Sequence, residues 1–115
     1  MKKLSEATKI SEKDKQLLLE VKEIVLRHVP DAQVLLYGSV ARGTQTPESD
    51  YDLLILTPNK LSRQEEEALS HDIYMVELER EVVLSDFVKW VGDWEKPIVK
   101  VSPYYKNVNR EAIAI

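Results

Sequence analysis

A chain of 115 residues, 43% of them hydrophobic, carries apolar surface for one core and too little for two, so a single domain over residues 1–115 is expected. Sixteen basic against twenty acidic side chains leave a net charge of −4, a sign that disfavours bulk nucleic-acid binding. The absence of cysteine excludes disulfides, thiolate metal sites and cysteine nucleophiles. Polar residues follow Met1-Lys2-Lys3 where a signal peptide needs an apolar stretch, and no window is long enough to span a bilayer. A cytoplasmic location without membrane contact is the expectation.

In chain order, Ser11 with Asp14 three residues on resembles a capping box. Leu17, Leu18, Val21, Ile24, Val25 and His28 then recur at helical spacing until Pro30 stops them. The run Ala32 to Tyr37 reads as a buried strand feeding a tight turn at Gly38. A polar segment, Gly43 to Ser49, leads to a second strand over Asp50 to Leu56, closed by Thr57-Pro58-Asn59. Ser62 with Glu65 predicts another capped helix, carried by Leu69, Ile73, Val76 and Leu78 to about Arg80. A third strand is expected from Glu81 to Val88, and Ser102-Pro103 starts a short terminal helix through Tyr104, Tyr105, Val108 and Ala112. The order helix, strand, strand, helix, strand, helix predicts an α/β or α+β domain with a small mixed sheet and flanking helices.

Chemistry concentrates where the first two strands face one loop. In Tyr37-Gly38-Ser39-Val40-Ala41-Arg42-Gly43 a glycine lets main-chain N–H groups approach a ligand, Ser39 adds a hydroxyl donor, and Arg42 is either a phosphate clamp or a solvated turn arginine. Such a turn alone is unspecific. It is followed by Asp50 and Asp52, which alternation along a strand puts on one face. Two adjacent carboxylates repel unless a cation lies between them, and oxygen-only ligands suit Mg²⁺ or Mn²⁺.

The combined string Gly38-Ser39 through Ser49-Asp50-Tyr51-Asp52 resembles the signature of the DNA polymerase beta-like nucleotidyltransferases, and most of all their minimal members, some of which act as antitoxins of a HEPN-domain partner. The resemblance implies a palm-like sheet in which Gly38 and Ser39 hold the phosphates of a nucleoside triphosphate, ATP by expectation. Asp50 and Asp52 would ligate divalent ions for metal-dependent transfer of a nucleoside monophosphate to a hydroxyl. It also calls for a third carboxylate on a later strand, beside the first two, and Asp86 in Leu84-Ser85-Asp86-Phe87-Val88 is the candidate, ahead of Glu81 and Glu79. Without it, the alternative is a catalytically weak module that binds nucleotide and neutralises its partner by contact.

The remaining residues read as structural. Neither His28 nor His71 has a metal-binding partner at useful spacing; Trp90 and Trp94 are expected as a helical pair covering the core or a partner surface. Tyr104 and Tyr105 are assigned to packing of the terminal helix rather than to base stacking, and Glu65-Glu66-Glu67 to a solvated face.

Overall fold

The computed structural model describes residues 1–115 and places both capped helices where their sequence signals start them. Helix α1 (Glu12–His28) begins at Ser11, whose hydroxyl accepts the Asp14 N–H at 3.1 Å, and it buries the stripe Leu17, Leu18, Val21 and Val25. Helix α3 (Arg63–Arg80) begins at a complete capping box: Ser62 Oγ accepts the Glu65 N–H at 3.1 Å, and Glu65 Oε1 accepts the Ser62 N–H at 3.0 Å. Between the two helices lie β2 (Gln33–Tyr37), the short helix α2 (Gly38–Arg42) and β3 (Tyr51–Thr57). After α3 come β4 (Leu84–Trp90), the one-turn helices α4 (Val91–Trp94) and α5 (Pro97–Lys100), and α6 (Pro103–Glu111), which starts at Ser102 as expected.

Two strands have no counterpart in the sequence reading. The two-residue strands β1 (Lys2–Lys3) and β5 (Ile113–Ala114) are too short to show any alternation, and they exist through pairing. The sheet order is β1-β5-β2-β3-β4, with β2 antiparallel to both β3 and β5, and with β3–β4 and β1–β5 parallel. A further difference concerns the third expected strand, which starts at Leu84 and not at Glu81. Glu81 instead ends α3 in the left-handed region at φ 56°, reversing the chain before β4.

Because β2 and β3 are central, both of their faces are buried, which is why Val34-Leu35-Leu36 and Leu53 to Leu56 are continuous apolar runs. One face, with Val34, Leu36, Leu53 and Ile55, packs under α1 and α3. The other, with Leu35, Leu54 and Leu56, packs under Trp94, Val108 and Ala112. His28 Nε2 meets Asp72 Oδ2 at 2.7 Å and Arg80 bonds Glu20, so polar contacts also tie α1 to α3, and His28 is structural. Trp90 and Trp94 do not form a helical pair: Trp90 ends β4 and donates its indole N–H to the Pro58 carbonyl, whereas Trp94 is buried in the second core. No helix is long and apolar enough to cross a membrane.

The capping box at α3 gives a direct test of this local account. Ser62→Ala removes the hydroxyl half of the box and is expected to lower stability by about 1 kcal/mol, read as a lower urea midpoint at unchanged slope.

Candidate active site

The site is built on one close approach. Strand β2 ends at Tyr37, which is paired with Asp52 across the antiparallel ladder, and the chain turns sharply at Gly38 with φ 77°. A Cβ on Gly38 would lie 2.1 Å from Asp52 Oδ2 and 3.0 Å from its Cγ. Glycine is therefore required twice here, once by the left-handed backbone and once by the carboxylate resting on it.

Alternation along β3 then sorts its side chains. Leu53 and Ile55 belong to the α1/α3 face, Leu54 and Leu56 to the other, and Asp52 shares the face of Leu54. Tyr51 turns the opposite way and donates its hydroxyl to Asp14 Oδ1 at 2.7 Å; burial first, and then this bond, push its phenol up to about 12. Asp50, just before the strand, accepts the Ser85 hydroxyl at 3.3 Å on Oδ2. Burial raises the proton affinity of Asp52, the charge of Asp50 raises it further, Arg42 opposes the shift and Glu111 adds to it. A carboxylate that is half-buried beside a second one is short of positive charge. The oxygen donors at this strand mouth thus fit one hard divalent ion such as Mg²⁺ or Mn²⁺.

Asp86 is set apart from them. The parallel register pairs Asp86 with Leu53 and pairs Ser85 with Asp52. Paired residues on neighbouring strands share a face, so Asp86 points to the α1/α3 side with Leu84 and Val88, where burial raises its proton affinity. Its acidic neighbour there is Glu77 of α3, itself raised by burial and, among charges, most by Asp86. The place beside Asp52 on the later strand is held by the hydroxyl of Ser85. Glu79 and Glu81 are exposed at the end of α3 and do not fill it.

One residue of the site went unread in the sequence. Glu111, the last residue of α6, accepts the Gly38 N–H on Oε1 at 3.0 Å, and Arg42 Nη1 donates to its Oε1 at 3.2 Å and its Oε2 at 3.0 Å. The N–H of Gly38, expected to meet a ligand, is therefore already engaged, and Arg42 is neither a bare clamp nor freely solvated. No local pattern announces a contact spanning 73 positions. The aromatic residues of this face pack as expected: the Tyr104 hydroxyl donates to that of Tyr37 at 3.0 Å, and the Tyr104 ring meets Tyr37, Phe87 and Trp94 edge-on. The largest cavity, about 490 Å³, lies elsewhere, against Leu4, Leu19 and Ile115, and holds none of these carboxylates.

A mixed sheet with a glycine turn seated under an Asp-x-Asp strand is the arrangement of a nucleotidyltransferase palm, and the chain belongs to the nucleotidyltransferase domain family, whose model matches residues 18–114. Among solved structures it is similar to one described as "Crystal structure of the toxin-antitoxin with AMP-PNP". The likeness has a TM-score of 0.54 at 17% identity and covers 86% of this chain and 69% of that one. At that identity the likeness concerns the fold. No match is found among curated proteins.

The strained charge of Asp52 has a consequence for stability. Its folded proton affinity lies above the ordinary aspartate value, so the folded state holds the proton more tightly and Asp52 costs stability as pH rises through that window and beyond. Asp52→Asn is expected to raise the melting temperature of the metal-free protein at neutral pH, with the difference from wild type shrinking as the pH falls and gone by about pH 4, the ordinary aspartate value. A lower melting temperature for the variant at neutral pH would contradict the assigned charge balance.

Proposed function

We propose that this nucleotidyltransferase binds a nucleoside triphosphate, ATP, together with a divalent ion at the Gly38–Asp52 site and transfers AMP to a hydroxyl group of a partner protein of the HEPN type. The observation that carries the reading is the Asp52 carboxylate seated on Gly38 with Asp50 beside it, inside a chain of this family. The neighbour's co-complex with AMP-PNP and its toxin–antitoxin pairing support the choice of nucleotide and of a protein partner.

In this reading Ser39 and the amides that follow Gly38 receive the phosphates, and the N–H groups of Arg42 not used by Glu111 add positive charge. Asp50 and Asp52 would hold the ion, whose charge would offset part of the negative charge of the triphosphate and of the two carboxylates. The acceptor oxygen bonds to the α-phosphorus, the bond from that phosphorus to the bridging oxygen breaks, pyrophosphate departs and the acceptor proton passes to water.

A second reading is favoured by one specific observation, the placement of Asp86 on the far face with Ser85 in the position where the family's third carboxylate is expected. With two carboxylates, the chain has ligands for the ion that accompanies the nucleotide and none on the acceptor side. The second reading is a nucleotide-binding subunit that neutralises its partner by contact, without efficient transfer. Incubation with α-labelled ATP, Mg²⁺ and the protein encoded next to it separates the two. Label on the partner, lost in Asp50→Asn and Asp52→Asn, is the result expected of the enzyme. Tight association with no label on the partner would establish the contact mechanism instead.

A further inference from the structure

Glu111 draws together two groups that the proposed nucleotide site depends on, the peptide of Gly38 and the guanidinium of Arg42, through three hydrogen bonds of 3.0 to 3.2 Å. Its side chain is 13% exposed, whereas that of Arg42 is 49% exposed. The carboxylate thus lies behind the guanidinium while part of the guanidinium remains open. Arginine carries five N–H donors in a rigid fork, and here Nη1 alone engages Glu111, which leaves Nη2 and Nε free.

The backbone that carries Glu111 is held on both sides. Val108, one turn before it, is buried in the second core, and Ala112 and Ile113 immediately after it are buried, with Ile113 paired to Leu36 in the central sheet. A carboxylate mounted on a swinging tail would read as a plug waiting to be displaced by phosphate. One clamped between a core residue and a sheet strand reads as a brace.

We propose that Glu111 is a positioning residue of the nucleotide site: it fixes the Gly38 peptide and turns Arg42 so that the free guanidinium N–H groups face the phosphates, without itself touching the nucleotide. This rests on the reading of Gly38 to Asp52 as a nucleotide site. An unbraced Arg42 must give up rotamer freedom at the moment of binding, so the cost of losing Glu111 appears in affinity and is transmitted through Arg42.

The test is Mg-ATP affinity by calorimetry for wild type, Glu111→Ala, Arg42→Ala and the double variant, with melting temperatures measured alongside; Glu111→Gln replaces the alanine variant should that fail to fold. Roughly tenfold weaker binding in Glu111→Ala is expected, the scale typical of groups that orient a ligand-contacting residue. The double variant should bind less weakly than the two single penalties added together, since Glu111 acts largely through Arg42 and only the Gly38 bond is independent of it. Tighter binding in Glu111→Ala would make the carboxylate a competitor of phosphate and overturn the proposal. So would unchanged affinity with a lowered melting temperature, or penalties that simply add. A wild-type protein that binds no Mg-ATP would overturn the functional reading and this inference with it, whereas binding that is indifferent to Glu111 overturns this inference alone.

Discussion

The architecture of the site depends on one contact, the Asp52 carboxylate resting on the backbone of Gly38. It needs β2 to end where β3 begins, so that Tyr37 faces Asp52 across the antiparallel ladder, and it needs a residue with no side chain in the left-handed turn that follows. Both strands are central and buried on both faces, which fixes their register by packing rather than by hydrogen bonds alone. A slip of one residue would turn Asp52 into the core under α1 and α3 and bring Leu53 to the turn. The apolar runs Val34-Leu35-Leu36 and Leu53 to Leu56 are therefore as much part of the site as its acids.

Around that contact the charges are arranged in opposition. Asp50 and Asp52 stand together with their negative charge only partly compensated, since Arg42, the cation that opposes the Asp52 shift, is also bonded to Glu111. The consequence is that Asp52 resists ionisation in the empty site. The hydroxyl of Ser85 at the remaining position binds Asp50 without adding charge.

Elements with long periodic patterns or paired caps were legible: α1 and α3 begin at Ser11 and Ser62, where capping chemistry says they should, and the two apolar strands and the intervening loop follow. The Gly-Ser turn and the Asp-x-Asp strand were visible for the same reason, since both are local. What escaped is non-local. Strands β1 and β5 owe their existence to pairing partners far along the chain, and Glu111 reaches Gly38 and Arg42 only because α6 is folded back onto the sheet. The placement of Asp86 depends on a subtler feature. Its apolar neighbours marked it as a strand residue, and it is one, but which face it occupies follows from pairing Tyr51 with Leu84, and a single residue of register reverses the answer. Trp90 and Trp94 were misread because helical spacing does not show where a strand ends and a helix begins.

The central claim, that Asp50 and Asp52 on the Gly38 turn hold one divalent ion with a nucleotide, is tested most directly by counting metal. Titration of Mn²⁺ in the presence of a non-hydrolysable ATP analogue, followed by electron paramagnetic resonance, should reveal one tightly bound ion per chain, lost in Asp52→Asn. Equal Mn²⁺ affinity in the variant, or two ions bound with the same tightness, would contradict it.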